Sequence, residues 1–137
     1  MVAPRDPESL LPLTPAVFHI LLALAPIERH GYAIMQEVQQ SSHGKVRLGP
    51  GTLYGAIKRL LADGLIEECE DRPAATPGDE RRRYYRLTDF GRRVARAEAE
   101  RLAGLVGLAR ARQLLPQGAP TPATGWQATR VGRLGRE

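Results

Sequence analysis

The residues best placed to do chemistry are Thr52, Tyr54, Lys58 and Arg59, within the run Gly49-Pro50-Gly51-Thr52-Leu53-Tyr54-Gly55-Ala56-Ile57-Lys58-Arg59-Leu60-Leu61-Ala62-Asp63-Gly64-Leu65-Ile66-Glu67-Glu68. At helical spacing Leu53, Ile57, Leu60 and Leu61 share one face and Gly51, Gly55, Lys58, Arg59 and Ala62 the opposite one, with Thr52 and Tyr54 on the flanks. The chemistry this offers is binding rather than bond-making. Small residues beside two cations allow close approach to a large polyanion. A lysine reaches a phosphate or guanine N7 and O6, and hydroxyls anchor phosphates. A helix that enters the major groove of double-stranded DNA needs these parts. Tyr54 is equally suited to holding the helix in place by packing, and Lys58 and Arg59 to forming a solvated face.

Three further residues extend the same reading. Tyr32 opens a second helical segment, where backbone N–H groups and the helix dipole favour a phosphate; packing against the preceding helix is its other use. Arg81 and Arg82 lead into a strand, within reach of a minor groove or its phosphates, a solvated edge being the other reading of such an arginine run. Arg83 is better matched to Glu67, Glu68 and Glu70 on the partner strand. Cys69 lies between the anions Glu68 and Glu70, which disfavour a thiolate, so it reads as an ordinary strand cysteine. His19, His30 and His43 lack metal-ligand spacing. No metal or cofactor is expected. The chain also lacks a nucleophile elbow, a phosphate-cradling glycine loop and paired catalytic carboxylates, so enzyme activity is not expected.

The elements that must position these residues are marked by local signals. Residues 1–13 read as a loose arm, proline-spaced and without period. Thr14-Pro15 supplies a cap and a first-turn proline for an almost wholly apolar helix, Val17 to Leu24, ended by Pro26. His30-Gly31-Tyr32 opens a second helix to about Gln40, with Ile34, Met35 and Val38 inward. Gly49-Pro50 starts the third and Gly64 is its expected left-handed stop. Leu65 to Asp71 and Arg81 to Thr88 read as two strands joined by a long loop, residues 72–80. Thr88 caps a last helix, Asp89 to about Leu115. From Pro116 onward periodicity gives way to a tail expected to be disordered, which carries Trp126. The expected fold is mainly α with a small two-stranded β wing: a winged helix-turn-helix over 14–88, a long helix over 89–115 and a tail over 116–137.

Composition agrees. The 137 residues carry 20 Lys and Arg against 15 Asp and Glu, a net charge of +5 that favours polyanionic partners. A single cysteine excludes an internal disulfide and fits a reducing cytoplasm. The N-terminus has no signal-peptide pattern, and the apolar run from Ala16 to Pro26 is far too short for a bilayer, so a cytoplasmic protein without membrane association is expected.

In order along the chain, Leu13-Thr14-Pro15, His30-Gly31-Tyr32-Ala33-Ile34, Gly51-Thr52-Leu53-Tyr54, Lys58-Arg59-Leu60, Asp63-Gly64-Leu65-Ile66 and Arg83-Tyr84-Tyr85-Arg86-Leu87-Thr88-Asp89-Phe90-Gly91 resemble the PadR family. The resemblance covers roughly residues 13–115. It implies a homodimeric bacterial transcriptional regulator, usually a repressor, whose last helix dimerises and whose DNA binding is often released by a small effector. The single short last helix looks like the family branch without a separate C-terminal domain. Thr52, Tyr54 and Lys58 match family positions that face DNA.

Two positions depart from the family pattern. Gly49 stands where a serine cap is expected, a change that costs a few tenths of a kcal/mol. Leu102 lies in the neighbourhood where drug-binding members carry a tryptophan, so stacking of flat aromatic drugs is not expected.

These readings combine into an effector-responsive repressor acting as a homodimer on a palindromic operator. Val94, Leu102, Leu105, Val106 and Ala109 are the expected dimer contacts. Phe18, Leu22, Val94 and Leu102 are the expected lining of a pocket for a small hydrophobic effector, a filled dimer core being the alternative. The competing reading is a winged-helix protein-interaction module without specific DNA recognition.

Overall fold

The computed structural model describes residues 5–69 and 83–116. The loop 72–80, Arg81, Arg82 and the tail with Trp126 lie outside the described residues. Chain contacts divide the protein into two units, Met1–Ala99 and Glu100–Glu137.

In the first unit, α1 (Pro15–Leu24) is capped by the Thr14 hydroxyl, which accepts from the Val17 N–H at 3.2 Å. Its C-terminal carbonyls receive two cations, as the helix dipole favours. Arg29 Nε donates to the Ala23 carbonyl at 2.6 Å and Arg92 Nη2 to that of Ala25 at 3.3 Å. Strand β1 (Arg29–His30) follows, then α2 (Gly31–Ser41), whose N-cap is His30: its Nδ1 accepts from the Ala33 N–H at 3.1 Å. Next come α3 (Pro50–Ala62), β2 (Ile66–Cys69), β3 (Tyr84–Leu87) and the start of α4 (Asp89–Ala111).

The sheet has three antiparallel strands in the order β1-β3-β2, not the two expected. Arg29 pairs with Tyr85 and His30 with Tyr84, while Ile66 to Cys69 pair with Leu87 to Tyr84. The third strand escapes a sequence reading for a physical reason. It is two residues long, too short for any alternation, and the extended backbone of His30 that pairs with β3 is also the N-cap conformation of α2.

The core of this unit is continuous. Ile20, Leu21 and Leu24 of α1 meet Ile34 and Val38 of α2, Leu53, Ile57 and Leu60 of α3, and Ile66, Tyr85 and Leu87 of the sheet. Burying each such aliphatic side chain is worth about 1.5–3 kcal/mol. The arm is more ordered than its sequence suggested: Asp6 caps a single tight turn, Pro7–Leu10, by accepting from the Glu8 N–H at 3.0 Å. Leu10, Leu11 and Leu13 then pack against the core.

In the second unit, the described residues 100–116 continue α4 to Ala111. The helix stops there rather than near Leu115. Gln113 adopts a left-handed φ of 64° and donates to the Arg110 carbonyl, while Leu114 donates to that of Ala109. This is the closing pattern a glycine normally provides, made here by a glutamine with no sequence signal. Leu105, Leu108, Leu114 and Leu115 are exposed.

Candidate nucleic-acid interface

Helix α3 presents the face its spacing predicts. Leu53, Ala56, Ile57 and Leu60 are buried, and Gly51, Thr52, Gly55, Lys58, Arg59 and Ala62 are all exposed. Pro50 occupies the first turn, where its missing N–H costs nothing. Gly49 caps with extended backbone but no side-chain bond, so the cap supplies no acceptor to the first-turn N–H groups.

Two contacts fix this helix. The first is at α2. An ideal Cβ on Gly31 would lie 2.7 Å from Tyr54 Cζ and 2.9 Å from Cε1, and the phenol oxygen is closer still. The Tyr54 ring therefore lies directly on the backbone of the first residue of α2. A side chain at this position would push the ring tip aside, so the glycine of His30-Gly31-Tyr32 suits this contact. About half of Tyr54 remains open, at 49% exposure. Packing thus accounts for one side of its ring and leaves the other free. Close by, Tyr85 of β3 is buried, and its phenol is raised above its ordinary 10.0 by burial first, then by the Glu68 carboxylate and Tyr54, with Arg83 opposing.

The second contact is at α4. Gly64 takes the left-handed φ of 76°; its N–H bonds the Leu61 carbonyl and that of Leu65 the Leu60 carbonyl, the paired closure of a glycine-stopped helix. Thr88 then joins this stop to α4. Its hydroxyl donates to the Gly64 carbonyl at 2.6 Å and accepts from the Gly91 N–H at 2.9 Å, while its own N–H bonds the Leu65 carbonyl. A Cβ on Gly91 would overlap that same Leu65 oxygen and lie 2.8 Å from its carbon. From the arm, the Arg5 guanidinium donates to the Asp63 carbonyl and lies 4.3 Å from the centre of the Phe90 ring. Two distant sequence blocks, Asp63-Gly64-Leu65 and Thr88-Asp89-Phe90-Gly91, are thus a single joint.

Around α3 the other candidates divide. Tyr32 is 54% exposed, so packing on α1 does not consume it. Arg83 bonds both oxygens of Glu68 at 3.1 Å, and Arg86 bonds Glu67 at 2.9 Å, which bears out the strand-edge pairing of Arg83. Lys45 and Arg47 were not singled out from sequence. They are exposed on the loop entering α3, where Leu48 is buried and Val46 half-buried. The polar and apolar alternation of Lys45-Val46-Arg47-Leu48 was the signal available. The apolar candidates divide as well. Val94 is fully enclosed in the core of the first unit, where it serves packing, while Phe18 is half-buried and Leu22 is 45% exposed. In the second unit, Leu105 is exposed and Leu102, Val106 and Ala109 are half-buried. Among the described residues no cluster of His, Cys, Asp or Glu is arranged to hold a metal, and no helix is long and apolar enough to cross a membrane.

Comparison with known proteins agrees with this arrangement. The family model described as "Transcriptional regulator PadR-like family" matches residues 20–97, more than half of the chain. The transcriptional regulator Rv3488 of Mycobacterium tuberculosis is 45% identical over 74 residues, which are 54% of this chain and 63% of that protein. An uncharacterized 37.1 kDa protein in transposon TN4556 of Streptomyces fradiae is 42% identical over 89 residues, 64% of this chain but only 23% of the relative. The chain therefore spans under two thirds of the length of either. Among solved structures, a PadR family transcription regulator from Clostridium difficile R20291 superposes with a TM-score of 0.60 at 23% identity, covering 73% of this chain and 99% of the other.

Proposed function

The chain belongs to the PadR-like family of transcriptional regulators, DNA-binding proteins rather than enzymes, and on that premise we propose that it is a homodimeric repressor that reads a short palindromic operator. The observation that carries this reading is the exposed ridge of Thr52, Lys58 and Arg59 on a helix fixed at both ends. Two copies of α3 enter successive major grooves about 34 Å apart. Thr52 and Lys58 select bases. Arg59, Tyr32, the free side of Tyr54 and the loop cations Lys45 and Arg47 hold phosphates. Arg81 and Arg82, which precede β3 in sequence, are assigned to the flanking backbone. Phosphate contacts supply most of the affinity and make it fall steeply with salt.

Dimerisation uses the apolar surface of the last helix. Leu102, Leu105, Val106 and Ala109 are its contacts, with Leu108 beside them, and the exposed Leu105 and Leu108 support this. Of the four residues expected to line an effector pocket, Val94 is taken up by the core, and a small hydrophobic effector bound at the apolar surface of Phe18 and Leu22 would release DNA by changing the spacing of the two recognition helices. A gel shift with the promoter of the protein's own gene, at two salt concentrations and against scrambled DNA, tests the regulator reading. Retention of the promoter over scrambled DNA is the expected result. Equal affinity for both would favour a module that binds acidic partners without sequence recognition.

A further inference from the structure

A cavity of about 210 Å³ lies within the first unit, between the N-terminal arm, α1 and α3. It is half open to solvent, and its floor is mainly apolar, with Leu10 and Leu13 from the arm, Val17 from α1 and Leu60 from α3. Two charged residues line it as well, Arg59 and Asp63, and both are exposed, so they mark its mouth. The arm that roofs the chamber is tied down at two points. The Leu13 N–H donates to the Glu98 carboxylate at 3.2 Å, and the Arg5 guanidinium donates to the Asp63 carbonyl.

Arg59 and Asp63 stand four residues apart, neighbours on one helix face with Cβ atoms about 5–6 Å apart. Among the described residues neither side chain is in a hydrogen bond or ion pair, with the other or with anything else. A separated cation and anion above an apolar chamber complement a zwitterion with an apolar tail. The Arg5 guanidinium, held on the Asp63 carbonyl, is a second cation at this end; a zwitterion still offers Asp63 the ammonium that a simple carboxylic acid lacks, and Arg59 the carboxylate that an amine lacks. The volume is below the roughly 300–1,000 Å³ of pockets that hold drug-sized ligands. It suits one amino acid.

We propose that this chamber binds a free apolar α-amino acid of the leucine class. The carboxylate pairs with the Arg59 guanidinium, the ammonium pairs with the Asp63 carboxylate, and the side chain fills the space between Leu10, Leu13, Val17 and Leu60. The site is separate from the four residues suggested for a hydrophobic effector.

Calorimetric titration of the full chain without DNA tests this, and its outcome is independent of the operator reading. The probes are L-leucine and its single-charge analogues 4-methylpentanoate and 3-methylbutylamine. Leucine is expected to bind, and each analogue to bind roughly tenfold more weakly or worse, the value of one charge-assisted hydrogen bond. Asp63→Asn, at the solvent-facing mouth, should weaken leucine by a similar factor. Val17→Phe, which fills the chamber, should abolish binding in protein whose thermal melt stays cooperative; Asp63→Asn alone decides if that variant does not fold. Absence of leucine binding, equal binding of the three probes, or undiminished leucine binding by Asp63→Asn would overturn the assignment.

Discussion

The Tyr54 ring of α3 rests on the bare backbone of Gly31, the first residue of α2, with Cζ 2.7 Å from where a Cβ would stand. This contact joins the two helices of the helix-turn-helix outside their shared apolar core. It is also why one residue belongs at once to the packing of the domain and to the exposed side of α3. Gly31→Ala forces the tip of the ring aside, and because Tyr54 is half exposed and can turn, the cost should be modest, about 0.5–1.5 kcal/mol, that of an off-rotamer side chain. The check is a double-mutant cycle by chemical denaturation. Truncating Tyr54 to Ala should remove most of the Gly31→Ala penalty, so that the two costs do not add.

At the other end of α3 the contact is with backbone, which cannot turn aside. Gly91→Ala places a methyl on the Leu65 carbonyl and should destabilise more than Gly31→Ala does. Thr88→Ala, which removes the α4 cap and the bond to Gly64, should cost about 0.5–2 kcal/mol. Urea midpoints of the variants order these effects.

Tyr85 gives a pH dependence. Its folded-state phenol is raised above 10.0 by burial and by the neighbouring Glu68 and Tyr54. The folded state therefore holds this proton more tightly than the unfolded chain does. The associated stability is complete below 10.0 and is lost as pH climbs from there through the folded value. Melting temperatures taken from neutral pH past 10.0 should fall for the native protein, and Tyr85→Phe should flatten the part of that fall due to this group.

His43 offers a test of strain. It closes α2 at a left-handed φ of 56°, its N–H bonding the Gln40 carbonyl while Gly44 bonds that of Gln39. A side chain in that conformation costs about 1–2 kcal/mol, part of which glycine gives back through its own chain entropy. His43→Gly should therefore raise the melting temperature, by about 0.5–1 kcal/mol of added stability.

Much of the fold was legible wherever the cause was local. Thr14-Pro15, Gly49-Pro50 and Gly64 mark helix ends by rules that act within one turn, and the spacing of Leu53, Ile57 and Leu60 identified the buried face of α3. What escaped depends on partners far along the chain or on residues in unusual roles. Nothing near Gly31 or Gly91 announces that Tyr54 or Leu65 will press on it. Glu98, amid the charged run of α4, is buried at 2% exposure because its carboxylate receives the Leu13 N–H from the arm. Gln113 ends α4 in a conformation associated with glycine. Asp6-Pro7 carried the same start signal as Thr14-Pro15, yet the turn it opens is too short for periodicity to support. For the candidate interface, periodicity identified the outward ridge of α3. Lys45 and Arg47 stand out only once the loop entering α3 leaves both of them exposed.

The central claim is that the exposed face of α3 reads DNA, with Lys58 as its most specific contact. The direct test is a fluorescence titration of the native protein and Lys58→Ala against the operator and scrambled DNA over a range of salt concentrations. The expected result is a loss of about 1–3 kcal/mol on the operator, relaxed discrimination against scrambled DNA, and an unchanged melting temperature. Operator affinity and discrimination equal to those of the native protein would contradict the claim.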